Sequence, residues 1–419
     1  MKSITNYFIS QKKKISKILF TLVIIFIYVI GTKIPVPCLN KENIDKMKII
    51  SLISSDEKLP LFILSLGIMP YITVSIIIQL ASKIIPFLKE WNEQGEKGKN
   101  QLNLFSRFLT LFLSFGYGLG MLSSKNMFLI LPSGLLIRVK IAFFLVVGVF
   151  ICIWLADLIT TKGIGNGVSI LIVIGISKEV FNTFRFLYNP EPSTLSIFDR
   201  FVIFGFLLFL LILTIILCSA YLKIPILYYT SNINKIHEAK IDKHIPFKIN
   251  SAGVLPIILA TSLMNSFDMI SSFMPDNKFK KIINSYFSLA QRQELGLSFF
   301  LYLSLILLFS IFSIFMIINP HDVTQHLSKQ DSYIEGIKPG DETTYKITDE
   351  LFKITLIGAI CLTLLAAIPD ILYFYYSEKL PHNMKFGGTS LLIIVGVALE
   401  CVQRMNTQTQ ITSMHNKLF

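Results

Sequence analysis

The side chains that could do covalent or metal chemistry are few in this sequence, and they are poorly spaced for it. Cys38, Cys152, Cys218, Cys361 and Cys401 include no Cys-x-x-Cys pair. Four of the five lie in apolar runs, where cysteine behaves as a small hydrophobe. Neither a metal site nor a disulfide framework follows. Asp157, Asp268, Asp370 and Glu400 are the acidic residues within apolar runs, and all four lie toward the ends of those runs. A carrier that couples solute to ions places such groups mid-span. Gly163-Ile164-Gly165-Asn166-Gly167-Val168-Ser169-Ile170 has the glycine density of a phosphate-cradling loop. No Lys-Ser/Thr follows it and no Rossmann strand precedes it, and its glycines and asparagine suit a tight turn and a helix start. The sequence holds no Walker motif, metal-ligand cluster or nucleophile–base arrangement. It reads as a non-enzyme with no cofactor and no metal.

What those residues sit in is overwhelmingly apolar. The 419-residue chain is 53% hydrophobic and 16% charged, with a mean hydropathy of +0.63. Soluble domains are roughly a quarter charged, so the solvent for this chain is lipid. Ten apolar segments are long enough to span a bilayer: 16–34, 61–84, 104–122, 136–160, 166–185, 200–222, 252–275, 297–319, 351–376 and 386–404. They lack the alternation of strands, so they predict an all-α membrane protein of ten transmembrane helices. Lys12, Lys13 and Lys14 precede the first run, which has no small-residue cleavage site. The first run is therefore a retained helix with its N-terminus in the cytoplasm, and ten spans return the C-terminus to that side. The net charge of +13 fits anionic headgroups and cytoplasmic loops. No RNA-binding motif supports the sharper reading of a nucleic-acid or ribosome contact.

Five spans fall in residues 1–200 and five in 201–419. An odd number per half makes the halves inverted, which places a functional site at their interface near mid-membrane. The loops at 223–250 and 320–350 are polar and too small for catalytic domains, so they suit docking. Four of the spans open on Gly- or Pro-containing segments, where a helix breaks and the freed backbone must find protein or water. These are Leu66-Gly67-Ile68-Met69-Pro70-Tyr71-Ile72-Thr73, the Gly163–Ile170 segment, Pro246-Phe247-Lys248-Ile249-Asn250-Ser251-Ala252-Gly253-Val254-Leu255-Pro256, and Phe386-Gly387-Gly388-Thr389-Ser390-Leu391-Leu392-Ile393. A fifth, Gly336-Ile337-Lys338-Pro339-Gly340, makes a stiff cationic loop tip. Ile68 and Ile72 share one helical face, as do Val168 and Ile172.

In order and spacing these five segments resemble the SecY family, the central subunit of the protein-conducting channel, over nearly the whole chain. The resemblance implies two inverted pseudo-symmetric halves around an hourglass pore. Its waist would be a ring of Ile68, Ile72, Val168, Ile172, Ile258 and Ile393. A narrow apolar throat of this kind excludes ions by dewetting. A plug would occupy about 43–58. A lateral gate would run between spans 2 and 3 on one side and 7 and 8 on the other, with Thr73, Gln79, Ser262 and Asn265 on its seam. Gly336, Lys338, Pro339 and Gly340 would form the loop tip that docks a SecA motor or a ribosome. The family carries an arginine at that tip. Lys338 keeps the charge but loses the bidentate fork. The implied partners are SecE-like and SecG-like small membrane subunits, signal-sequence-bearing preproteins and membrane lipids. The implied location is a bacterial inner membrane or the membrane of an organelle of bacterial origin. A secondary transporter of small solutes with inverted repeats is the alternative that the broken spans also allow.

Overall fold

The computed structural model describes residues 2–37, 61–122, 134–188, 196–228, 244–250, 252–274, 280, 286–287, 296–330, 332–334, 336–376 and 388–418. The region expected to form a plug, 43–58, lies outside them, as do residues 229–243 of the first docking loop. A helix lies at each of the ten predicted segments. In chain order these are α1 (Lys2–Gly31), α2 (Met69–Ile84), α4 (Glu96–Leu122), α5 (Leu135–Lys162), α6 (Gly167–Tyr188), α7 (Ile197–Ser219), α8 (Leu255–Phe273), α9 (Leu297–Ile317), α11 (Asp341–Tyr375) and α12 (Gly388–Leu418). Two short helices, α3 (Pro86–Glu93) and α10 (Pro320–Lys329), cap their neighbours. By length and composition six of these helices can cross a membrane, or seven if α2 and α3 are one span. Large apolar side chains stay exposed on them. Phe201, Leu208, Ile212 and Ile216 of α7 are examples, as lipid-facing surface requires.

Several boundaries differ from the sequence reading: α4 and α11 begin earlier, at Glu96 and Asp341, and α12 runs on to Leu418. The second and seventh spans begin later than their apolar runs, at Met69 and Leu255, because Pro70 and Pro256 each occupy a first helical turn. Proline lacks the amide a helix interior needs, but the first turn leaves that amide unpaired anyway. The second span also ends in a sharp elbow, with α3 bent 98° away from α2. Ile85 is extended ahead of Pro86, the conformation that proline imposes on the residue before it. A Cβ at Gly98 of α4 would lie 1.6 Å from the Trp91 carbonyl, so the absence of that atom lets the elbow lie against α4.

The packing repeats between halves. In the first, α2 packs on α4, α4 on α5, α5 on α6, and α1 on α5. In the second, α8 packs on α9, α9 on α11, α11 on α12, and α7 on α11. The halves meet along α8 against α2 and α4, and along α12 against α6.

The predicted docking loops are not independent. β1 (Tyr221–Tyr228) pairs antiparallel with β2 (His244–Lys248) and, on its other side, with β3 (Ser332–Ile334). The helical bundle therefore carries a small three-stranded sheet drawn from both loops. A hairpin ladder is marginal in water without a hydrophobic face. Here Ile224, Phe247, Leu327 and Ile334 close over Ile347, Leu351 and Ile354 of α11. Truncating a buried Phe costs about 3–5 kcal/mol, enough to release a unit this small. Phe247→Ala is expected to make Lys223 and Lys248 cleavable by trypsin while α5 and α11 stay protected, as limited proteolysis of the membrane-embedded protein would reveal.

Candidate functional site

The two late-starting helices are approached by backbones of the same shape. Gly67 has φ of +56° and Gly253 has φ of +62°, a region that other residues adopt only at a cost. The next residues, Ile68 and Val254, both sit at φ −95°, ψ −1° as helix N-caps. Ile72 N then donates to Ile68 O, and Ile258 N to Val254 O, each at 3.2 Å. These matching helix starts set Ile72 and Ile258 in equivalent positions, one in each half.

The Gly163–Ile170 segment turns the chain between α5 and α6. Most of its amides are already used. Ile164 N donates to Thr21 Oγ1 at 3.1 Å, Gly167 N to Thr160 Oγ1 at 2.9 Å, and Val168 N to Asn166 Oδ1 at 3.1 Å. A phosphate-cradling loop keeps such amides free for its ligand, so the structure reads this segment as a helix start. Gly165 takes φ of +76°, and a Cβ there would lie 2.6 Å from Cys401 Sγ of α12. The turn is thereby pressed against the other half.

Together these helix starts deliver six aliphatic residues to one place. Ile68, Ile72, Ile172 and Ile393 are 3%, 6%, 7% and 6% exposed and belong to one buried apolar cluster. Val168 and Ile258 are half-buried and pack against the same cluster. It also contains Ile24 and Tyr28 of α1, Leu155 and Ile159 of α5, Leu259 of α8 and Val397 of α12. Both halves therefore contribute to a single block of apolar side chains.

The polar positions expected on the seam between α2 and α8 are divided. Thr73 is buried and donates to Met69 O of its own helix at 3.1 Å. Ser262 is buried, and its hydroxyl has no partner among the described residues. Asn265 is half-buried and Gln79 is exposed. A bond across the seam involves a pair the sequence reading missed. The Tyr117 hydroxyl of α4 lies 3.0 Å from Ser266 Oγ of α8. Ser266 Oγ donates to Ser262 O at 2.8 Å, so the tyrosine is the donor across the seam. Tyr117 follows Gly116 in an aromatic-rich run, and nothing in its spacing separates it from core tyrosines.

At the loop tip Lys338 and Pro339 are exposed. Gly336 and Gly340 have φ of +77° and +117°, and Thr343 Oγ1 donates to Lys338 O at 2.8 Å. The tip is held from behind, leaving the cation outward. At the base of the sheet, Lys248 Nζ donates to Gln403 Oε1 of α12.

The backbone match between halves exposes a repeat that is hard to see in sequence alone. Ile63, Ser65, Gly67, Pro70 and Ile72 recur at identical spacing as Ile249, Ser251, Gly253, Pro256 and Ile258. Gly167, Ser169, Leu171, Ile172 and Gly175 recur as Gly388, Ser390, Leu392, Ile393 and Gly396. Four of the six ring positions, Ile72 with Ile258 and Ile172 with Ile393, are pairs in this repeat.

Comparison with known proteins gives the same architecture a context. The family model described as SecY matches residues 62–402. The protein translocase subunit SecY of Bacillus licheniformis is 34% identical over 424 residues, covering 97% of each chain. That of Bacillus subtilis is 34% identical over 410 residues, covering 94% of each. Among solved structures, one described as a protein conducting channel superposes with a TM-score of 0.67 at 15% identity, covering 94% of this chain and 93% of that one. Sec61 in a canine ribosome–channel complex from the endoplasmic reticulum gives 0.62 at 14% identity, over 94% and 93%.

Interhelical hydrogen bonds in membranes average about 0.6 kcal/mol, and 1.4 kcal/mol is a tenfold change in an equilibrium. Tyr117→Phe is therefore expected to raise the separated population of α4 and α8 roughly threefold. Gln79→Leu is expected to leave it unchanged. Distance measurements between labels on the two helices would read both.

Proposed function

The chain belongs to the SecY family, and from that membership we propose that it is the channel subunit of a protein translocase. It is an integral membrane protein with no chemistry of its own. It moves unfolded preproteins across the bilayer and releases hydrophobic segments sideways into it. The observation that carries this reading is the shared apolar cluster of Ile68, Ile72, Val168, Ile172, Ile258 and Ile393, drawn from both halves. Apolar side chains seal around a passing chain without hydrogen-bonding it, so they hold no sequence preference. A narrow unwetted throat also blocks ions. Residues 1–200 and 201–419 are its two halves. The seam of α8 with α2 and α4 is its lateral exit, with Thr73, Gln79, Ser262 and Asn265 along it.

Two carboxylates that an ion-coupled carrier would use are occupied. Asp157 accepts from Arg107 at 2.6 Å, and Glu400 pairs with Arg404 at 3.0 Å. That favours the channel over a solute transporter.

Energy comes from outside. The sheet and loop tip form one surface on which a SecA-like motor or a ribosome docks, with Gly336, Lys338, Pro339 and Gly340 as the contact. SecE-like and SecG-like subunits cover parts of the exposed apolar belt. The sheet side is cytoplasmic, as are both termini. The membrane is the bacterial inner membrane, or that of an organelle of bacterial origin.

Two measurements test this. Photocrosslinkers or cysteines at Ile68, Ile72 and Ile258 are expected to react with a stalled translocating chain, and absence of crosslinks at all three would remove the throat assignment. Lys338→Glu is expected to slow motor-driven translocation severalfold while leaving those crosslinks intact, whereas Lys338→Arg should retain activity. Equal rates for Lys338→Glu and the unaltered protein would detach the tip from docking.

A further inference from the structure

The throat residues stand on two short backbone stretches, and in each an amide is hydrogen-bonded while the carbonyl of the same residue faces a glycine. In the first half, Ile63 N donates to Ile34 O at 3.0 Å. In the second, Ile249 N donates to Ala220 O at 3.0 Å. The acceptors lie equally far upstream, so this is one arrangement used twice. The carbonyls of the same two residues face glycines of neighbouring helices. A Cβ built on Gly148 of α5 would lie 1.9 Å from Ile63 O and 2.8 Å from its carbonyl carbon. A Cβ built on Gly358 of α11 would lie 2.5 Å from Ile249 O and 3.2 Å from its carbonyl carbon.

Neither collision is with a side chain that could swing aside. Both are with backbone that is already hydrogen-bonded. Nor can the helices give way, because Leu145, Val149 and Cys152 around Gly148 are buried, as are Thr355, Ala359 and Leu362 around Gly358. Interiors packed to this density transmit strain rather than absorb it. From Ile63 the chain runs through Gly67 to Ile68 and Ile72. From Ile249 it runs through Gly253 to Ile258, with Asn250 Nδ2 donating to Gly253 O at 3.0 Å along the way. In the first half Ile68 follows Ile63 by only five residues, all of them described.

We infer that Gly148 and Gly358 are a matched pair of positioning residues, each a notch that fixes one half's contribution to the throat. This rests on the throat reading above. A methyl group at either place must push its connector, by about 1.5 Å at Gly148 and about 0.9 Å at Gly358, to restore van der Waals contact. Ile68 and Ile72, or Ile258, then move relative to Ile172 and Ile393. A seal made only of apolar contact fails as soon as a gap admits water.

The experiment uses the full chain assembled with its small subunits in liposomes, with chloride efflux at rest as the readout. Gly148→Ala and Gly358→Ala are each expected to raise the resting leak per assembled complex several-fold, more for Gly148→Ala. Gly205→Ala, whose added Cβ meets nothing within 4 Å, is expected to stay tight. Ile72→Ser is measured beside them. If Ile72→Ser leaks and both alanine variants stay tight, the throat stands and the notch inference is overturned. If Ile72→Ser is also tight, the throat reading itself is lost. Lower stability with no added leak per assembled complex means that the glycines serve folding alone, which also overturns the inference. If the alanine variants do not accumulate, hydrogen exchange in the unaltered protein decides. The Ile63 and Ile249 amides are expected to exchange as slowly as the cores of α5 and α11, and exchange at the rate of exposed loops would overturn the proposal.

Discussion

Everything at the centre of this protein follows from starting two helices inside a membrane. The sixteen residues of α2 rise only about 24 Å at 1.5 Å per residue, short of the roughly 30 Å hydrocarbon core. The missing length is crossed by non-helical backbone, whose amides and carbonyls have no water to turn to. That is tolerated only where protein supplies partners. Val36 N donates to Leu61 O at 2.9 Å and Ile63 N to Ile34 O at 3.0 Å. These bonds, and their counterparts around Ile249, fix where α2 and α8 begin. The starting points in turn decide where Ile68, Ile72 and Ile258 stand. A continuous helix in either place would carry the same isoleucines but would lack the hinge at Gly67 or Gly253 that brings them to the interface between halves.

Much of this was legible in the sequence, and the reasons are local. A helix lies at every predicted span because a run of apolar residues in lipid has almost no alternative to a helix. Pro70 and Pro256 marked the late starts, although only the backbone revealed that helix begins at Met69 and Leu255 rather than at the edge of the apolar run. The six ring residues came from family resemblance; four of them lie in one buried cluster, and Val168 and Ile258 pack against it. Three features were not legible. The sheet depends on pairing across a separation of about a hundred residues, between Ile226 and Ile334, and strand signals in β1 are masked by an apolar run continuous with α7. The Tyr117–Ser266 bond joins two residues that each resemble ordinary helix-surface or core positions. The glycine contacts of Gly148 and Gly358 are invisible because a glycine in an apolar helix most often marks nothing in particular. The internal repeat was present in the letters but too sparse to trust until the backbones of Gly67 and Gly253 were seen to match.

The two interfaces between the halves are built differently, and the difference decides where they part. On one side, α6 and α12 are pressed together, with Gly165 of the α5–α6 turn fitted against Cys401 and no room for a Cβ between them. Close contact of this kind collects many small dispersion gains that are lost together when it opens. On the other side, α8 meets α2 and α4 with a buried Ser262 hydroxyl that has no partner among the described residues and a shared hydroxyl bond at Tyr117. An unsatisfied buried hydroxyl costs about 1–3 kcal/mol while the interface is closed, which offsets part of what holds that side together. The apolar cluster between the two sides opposes opening more strongly, since burying each isoleucine is worth about 1.5–3 kcal/mol. That term is not lost when an apolar segment replaces the facing half, because the hydrophobic effect does not distinguish one aliphatic neighbour from another. The balance supports the proposed exit on the α8 side, with α6 and α12 as the axis. An apolar chain lowers the cost of opening, and a polar chain lowers it less.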